Sequence, residues 1–215
     1  MKKVSLSILS ITEDIKENIK LLDNLDIDYI HLDIMDGNFV SNKTWDLNEI
    51  EELIIEHKKP LDVHLMVSDI KKYIDDFSKL NPDYITFHFE ATVDPANVIA
   101  YIQSKGIKAG ISIKPNTEVE ELLPYLSIVD LVLVMSVEPG KGGQKYMPIA
   151  NEKIDELELV RKAYNYNYII EVDGGITDET IRDCANADMF VVGSYITNSD
   201  NYNEQVDKVR ENLAL

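Results

Sequence analysis

The sequence predicts an α/β fold of the (β/α)8 TIM barrel type. Three observations carry that expectation. Short apolar, β-branched runs alternate along the whole chain with longer amphipathic ones. The apolar runs are almost unbroken, as in Ile128-Val129-Asp130-Leu131-Val132-Leu133-Val134-Met135, and strands buried on both faces of a parallel sheet read that way. The chain has 215 residues, which gives eight units of about 27 residues each, compact but sufficient for a closed barrel.

Taken in order, the first strand is expected at 4–9, a short serine-broken apolar stretch after two lysines that reads as a strand rather than a signal peptide. A helical segment at 12–25 leads to a second strand at 28–34. Helix 46–57 precedes strand 60–66, helix 69–80 precedes strand 83–89, and helix 95–105 precedes strand 107–113. Helix 117–125 leads to strand 129–135, helix 149–164 to strand 168–172, and helix 177–186 to strand 189–193, with a closing helix at 200–213. Asp28, Asp83, Asp130 and Asp188 open every second strand, a rough two-unit echo. The competing arrangement, an open doubly wound sheet, lacks a Gly-x-Gly-x-x-Gly after its first strand. No linker or low-complexity segment divides the sequence, so residues 1–215 are expected to form one barrel domain.

The chain carries 21 Lys and Arg against 39 Asp and Glu, a net charge of −18. So acidic a surface repels nucleic acid and anionic membranes, and neither is an expected partner. No apolar run approaches the ~20 residues of a membrane span. An anionic ligand must be met locally, by backbone N–H groups, a helix N-terminus or a lysine. Cys184 stands alone, so there is no internal disulfide; it reads as a small core residue, and the expected compartment is the cytoplasm.

Polar residues embedded in the apolar runs gather at the strand ends, where a barrel places its active site. The second strand ends His31-Leu32-Asp33-Ile34-Met35-Asp36-Gly37, the third Asp62-Val63-His64-Leu65-Met66 and the seventh Glu171-Val172-Asp173-Gly174-Gly175. Side chains two apart on a strand share a face, so His31 and Asp33 point together, with His64 on the next strand and Asp173 across the barrel. Two imidazoles and two carboxylates suit a divalent metal ion; a plain hydrogen-bonded His–Asp pair is the alternative. Three glycine clusters follow the last three strands: Gly140-Lys141-Gly142-Gly143, Gly174-Gly175 and Gly193-Ser194. Glycine lets backbone N–H groups approach a phosphate.

These segments, together with Ser7-Ile8-Leu9-Ser10, Asn38-Phe39-Val40, Thr86-Phe87-His88-Phe89-Glu90-Ala91, Met135-Ser136-Val137 and Gln144, resemble the ribulose-phosphate 3-epimerase family in order and spacing from residue 5 to about 195. The resemblance implies a barrel of the ribulose-phosphate-binding type and an isomerase of carbohydrate metabolism in the pentose phosphate pathway. Its expected reaction is epimerisation at C3 of a small phosphorylated ketose, most directly D-ribulose 5-phosphate to D-xylulose 5-phosphate. It further implies that His31, Asp33, His64 and Asp173 hold one divalent ion (zinc, iron(II), manganese or cobalt), and that Asp33 and Asp173 are the acid–base pair. Ser7 and His64 would contact the sugar. Gly140, Lys141, Gly142, Gly143, Gly174, Gly175, Gly193 and Ser194 would surround the phosphate, and Met35, Met66 and Met135 would line the reacting centre. The family also implies a homo-oligomer, dimer or hexamer.

The chemistry suits those residues. Removing the C3 proton beside the C2 carbonyl leaves an enediolate, which a Lewis-acidic metal stabilises. Returning a proton to the other face needs a second carrier opposite the first. The departures ring the substrate: Glu138 and Lys141 replace Asn and Phe of the family's Asn-Pro-Gly-Phe-Gly-Gly-Gln, Ser41 replaces a Pro, and Lys114 replaces an Asn. Allulose 6-phosphate is therefore an alternative substrate. His88 reads either as a partner that orients a ligand or as a satisfied core histidine. The methionines have core packing as their bland reading. His57 and Trp45 read as a surface residue at a helix end and a packing residue. A decarboxylase or aldolase with an Asp-x-Lys-x-x-Asp strand is a rival, but the corresponding strand reads Asp62-Val63-His64. A sugar-phosphate sensor on the same barrel is the non-catalytic rival.

Overall fold

The computed structural model describes residues 2–214. Eight parallel strands pair in chain order and close: β1 (Lys3–Ser7), β2 (Tyr29–Met35), β3 (Leu61–Met66), β4 (Tyr84–His88), β5 (Lys108–Ile113), β6 (Leu131–Met135), β7 (Ile169–Asp173) and β8 (Met189–Val192), which returns to β1. The helices between them are α1 (Ile15–Leu22), α2 (Leu47–Ile54), α3 (Ile70–Phe77), α4 (Pro95–Ser104), α5 (Ile149–Tyr164), α6 (Ser194–Thr197) and α7 (Tyr202–Leu213). This is the predicted (β/α)8 barrel. Among the described residues no helix is long and apolar enough to cross a membrane.

Strand period explains both the barrel and its interior. Outward positions such as Val4, Leu6, Ile30, Leu32, Ile34, Val63, Leu65, Ile85 and Phe87 are aliphatic or aromatic and join the helices in the main core. The intervening positions turn inward. They are Ser5 and Ser7, His31 and Asp33, Asp62 and His64, Thr86 and His88, then Glu171 and Asp173; all but Asp173 are buried. The apolar runs are therefore interrupted at every second place on the strands that build the site. At the opposite end Tyr29 and Tyr84 meet edge to face at 5.8 Å, with the ammonium groups of Lys3 and Lys108 over their rings.

The aspartate echo has a backbone cause. Asp28, Asp130 and Asp188 each accept, at 2.8 Å, the N–H of a residue in the preceding strand: Val4, Ala109 and Ile170. Arg210 grips Asp28, Gln103 reaches Asp130 and Arg161 grips Asp188, so helices are tied to the strand starts.

Two expected helices are only 3-10 turns. At 117–125 the turn is Val119–Leu122, and Pro124 then clashes with continuation of a helix. At 177–186 the turn is Thr180–Arg182. There the Thr177 hydroxyl accepts from the N–H groups of Glu179 and Thr180, local bonds that compete with helix formation. Cys184 lies buried just beyond that turn.

Gly110 on β5 is fixed by crowding. It pairs in register with Thr86, and a Cβ there would lie 2.1 Å from Thr86 Oγ1 and 2.9 Å from Thr86 Cβ. Gly110→Ala is expected to lower the free energy of unfolding by about 1–3 kcal/mol through overpacking. Urea denaturation checks this, and an unchanged midpoint would show that the barrel wall has slack at this level.

Candidate active site

The inward polar side chains rise in layers towards the C-terminal mouth. In the β2–β3 ladder His31 is beside Asp62 and Asp33 beside His64; in the β6–β7 ladder Met135 is beside Asp173. Asp33 Oδ1 stands 3.5 Å from His31 Nε2 and 3.2 Å from His64 Nδ1, and Asp173 Oδ2 stands 3.8 Å from His64 Nδ1. One donor atom from each of His31, Asp33, His64 and Asp173 lies within 4.8 Å of the others.

The hydrogen bonding around these donors leaves room for a cation. His31 Nε2 is buried and has no hydrogen-bond partner, a state that buried nitrogens rarely keep. The ring's other nitrogen, Nδ1, lies 2.6 Å from Asp62 Oδ2, which also accepts from Ser5 Oγ at 2.9 Å. The ring is thus held with its free nitrogen towards the carboxylates, as a ligating imidazole is held from behind. Two imidazoles and two carboxylates converging in this way fit a divalent cation.

The protein's own charges make the carboxyls unequal. For Asp33, burial works upward, but His31 and then His64 outweigh it and hold the group well below the usual carboxylate range. For Asp173, burial and the negative Asp33 push the pKa up to about 6. Burial and Asp62 raise Glu171 well above its ordinary value, and neither of its carboxyl oxygens has a standard partner. Burial disfavours a charged His31, yet Asp62 and Asp33 together raise its pKa.

Above this floor is a cleft of about 570 Å³, within the size range of small-molecule sites. It is lined by Ser7, Asp33, Met35, Met66, Met135, Gly140, Lys141, Gly142, Gly143, Asp173, Gly174, Gly175, Gly193 and Ser194. His31 and His64 are absent from the lining because they are fully buried beneath it. Ser7 Oγ donates to Asp33 Oδ2 at 2.7 Å. Gly175 needs its φ of +62°, and a Cβ there would lie 2.4 Å from the backbone nitrogen of Tyr146, so the turn after β7 packs directly against the chain following the β6 loop. Ser136 Oγ pins the same turn through the carbonyls of Asp173 and Gly174. Lys141 sits exposed on the rim, while Asn42 Nδ2 donates to the Gly140 carbonyl at 2.7 Å.

Several residues of the site escaped the sequence reading as participants: Asp62, Glu171 and Ser5. The signal was present, since each stands two places before a residue singled out on the same strand (His64, Asp173 and Ser7).

The ribulose-phosphate 3 epimerase family profile matches residues 3–197. The chain belongs to that family. It is 40% identical over 175 residues to the ribulose-phosphate 3-epimerase of Mycobacterium tuberculosis, covering 80% of this chain and 76% of the relative. The Helicobacter pylori (strain J99) protein of the same name is 39% identical over 192 residues, covering 87% and 88%. Solved structures share the fold alone: 3-hexulose-6-phosphate synthase from Salmonella typhimurium (TM-score 0.66, 20% identity, 99% and 98% covered) and KGPDC from Streptococcus mutans (TM-score 0.71, 11% identity, 100% and 98% covered).

Within the family pattern Thr-Phe-His-Phe-Glu, the last two polar residues form one network. His88 Nε2 lies 2.9 Å from His64 Nε2, and His88 Nδ1 lies 3.1 Å from Glu90 Oε2. Burial draws the His88 pKa down to about 4, with Glu90 opposing it. For Glu90 burial works upward, but hydrogen bonds from His88, the Lys114 N–H and the Thr117 hydroxyl outweigh it and hold the pKa at about 2. A carboxylate depressed from its ordinary 4.5 stabilises the fold above the unfolded value and loses that contribution as pH falls through the folded one. The stability difference between wild type and Glu90→Gln is therefore expected to shrink as pH drops from about 5 to about 2. Urea unfolding across that window measures it, and a gap independent of pH would contradict the sign.

Proposed function

We propose that this chain is a divalent-cation-dependent 3-epimerase of a small phosphorylated ketose, with D-ribulose 5-phosphate as the first substrate to test. The observation that carries the reading is the meeting of Asp33 and Asp173 with two buried imidazoles at the floor of one cleft. The named activity of relatives about 40% identical supports it. His31, Asp33, His64 and Asp173 would hold the ion. A divalent ion there supplies Lewis-acid stabilisation of negative charge developing on the substrate oxygen.

The protein's own groups do the rest. Asp33, kept ionised, is the base that takes the C3 proton in one direction. Asp173, on the far side of the cleft floor, is the acid that returns a proton on the other face; in reverse the roles exchange. Because the carboxyls share one charge environment, they titrate as a pair. Ser7 steadies Asp33 through its hydroxyl. Met35, Met66 and Met135 present non-protic walls that limit stray protonation. The late-strand residues Gly140, Lys141, Gly142, Gly143, Gly174, Gly175, Gly193 and Ser194 take the phosphate through local donors.

The same reading takes residues 1–215 as one barrel domain, working in the cytoplasm as a homo-oligomer and without nucleic acid or membrane as partner. Zinc, iron(II), manganese and cobalt all suit the donors. Allulose 6-phosphate is the alternative substrate, because Glu138 and Lys141, which line the cleft, and Ser41 and Lys114 depart from the family pattern while the floor residues do not.

Asp33→Asn and Asp173→Asn are each expected to lower turnover of ribulose 5-phosphate by at least ~100-fold, with the fold retained. Deuterium uptake at C3 in deuterated water, with allulose 6-phosphate in a parallel assay, reads the chemistry directly. Near-normal turnover in either variant rules out the two-carboxylate scheme. Uptake from allulose 6-phosphate alone reassigns the sugar.

A further inference from the structure

We propose that Glu90, acting through His88, fixes the proton of His64 on Nε2, so that His64 turns an unprotonated Nδ1 towards the cation site. Glu90 and His88 are thereby positioning residues; the inference rests on the cation reading above.

The geometry leaves little freedom. His64 and His88 are both fully buried, and their Nε2 atoms are 2.9 Å apart. Between two neutral rings that contact holds a single proton, so one ring donates and the other accepts. Glu90 decides which. Its Oε1 already accepts from the Lys114 N–H at 2.7 Å and from the Thr117 hydroxyl, while Oε2 faces His88 Nδ1 at 3.1 Å. A carboxylate only accepts, so His88 carries its proton on Nδ1 and its Nε2 is bare. His64 must then donate from Nε2. Its remaining nitrogen, Nδ1, is bare and faces Asp33 Oδ1 at 3.2 Å and Asp173 Oδ2 at 3.8 Å. The reverse order lets His64 Nδ1 donate to Asp33 but sets two acceptors, His88 Nδ1 and Glu90, against each other in a buried place; the Glu90-directed order leaves His64 Nδ1 and Asp33 Oδ1 as facing acceptors, which is the pair a cation between them satisfies. The reverse order also puts a proton where a ligand lone pair is needed.

The anchor itself is held. The buried ammonium of Lys153 on α5 donates to the carbonyls of Lys114 and Thr117, fixing the loop that binds Glu90 Oε1. Phe39 packs on the His88 ring at 4.9 Å. Each imidazole of the site thus has a carboxylate behind it: Asp62 directly for His31, and Glu90 through one further ring for His64.

Glu90→Gln tests the direction of the chain. The Lys114 and Thr117 donors hold the amide oxygen, so the amide NH2 faces His88 Nδ1 and forces it to accept. His88 then carries its proton on Nε2, and His64 is driven to the tautomer with a proton on Nδ1. His88→Gln is the control, because its amide oxygen can accept from His64 while its NH2 donates to Glu90, keeping the original direction. His88→Leu removes both contacts.

The readouts are the His88 tautomer, from long-range 1H–15N NMR of zinc-bound protein above neutral pH, and zinc affinity, from competition with a chromophoric chelator. With zinc bound, wild type is expected to show the proton on Nδ1 of His88, and Glu90→Gln is expected to bind zinc ~10- to 100-fold more weakly. His88→Gln is expected to keep near-wild-type zinc affinity and His88→Leu to lose it. A wild-type His88 protonated on Nε2 overturns the proposal without recourse to any variant, so a Glu90→Gln protein that does not fold leaves the test intact. Normal zinc binding by both Glu90→Gln and His88→Leu overturns it as well. Wild-type protein that binds no zinc overturns the cation reading instead.

Discussion

Gathering Asp33, Asp62 and Glu171, all buried, and half-buried Asp173 inside one barrel is costly unless each meets a positive group, a donor or a proton. The rest of the site follows from how that constraint is met. His31 lies between two of them, 2.6 Å from Asp62 and 3.5 Å from Asp33, and its fixed orientation leaves one nitrogen free. Ser5 and Ser7 add hydroxyl donors to Asp62 and Asp33. Burial and the negative charge of Asp62 push Glu171 towards the neutral acid, which lightens the load below the floor. The unmet demand is then concentrated where His31, Asp33, His64 and Asp173 converge, and a divalent cation is the simplest charge that meets it.

The barrel can carry so polar an interior because its outer layer is conventional. The strand faces under the helices are aliphatic and continuous with the helix cores, and these residues supply most of the buried apolar area that drives folding. The inner face contributes a separate, smaller apolar group of Tyr29, Tyr84, Leu131, Leu133, Met135, Val137 and Met189. It lies mainly at the closed end and on the β6 side. Polar β1 to β4 therefore look across the barrel towards apolar β6, whose neighbour β7 carries Glu171 and Asp173. Function and stability occupy alternate positions of the same strands.

Fold and floor were legible for the same reason. A strand has period two, and His31-x-Asp33 or Asp62-x-His64 betrays an inward polar face within an apolar run. The barrel closure followed from unit length and from runs buried on both faces. Helices at 117–125 and 177–186 misled because their apolar pattern is sound; Pro124 and the Thr177–Thr180 hydroxyls act locally against it. The network from Glu90 through Lys114, Thr117 and Lys153 was not legible. Its members come from the connections after β4 and β5 and from α5, and no spacing in a single segment encodes contacts between separate elements. His88 marks the edge of what the sequence reveals: its depth could be inferred, whereas its bond to His64 depends on the distance between two neighbouring strands.

The net charge of −18 sets a last condition on the proposed chemistry, since a sugar phosphate is also an anion. Screening limits that repulsion, because the Debye length is only about 8 Å at physiological ionic strength. Within that range the cleft's own groups decide. The rim mixes Lys141 and Lys145 with Glu138, Glu179 and Asp183, so it offers no strong positive field. Attraction must instead come from directed backbone N–H groups, which act at contact distance and need close approach. In the proposed reading, the glycine-rich late turns meet that need. Gly175 lies so near Tyr146 that no side chain fits, and a lysine could add charge there only by breaking the turn.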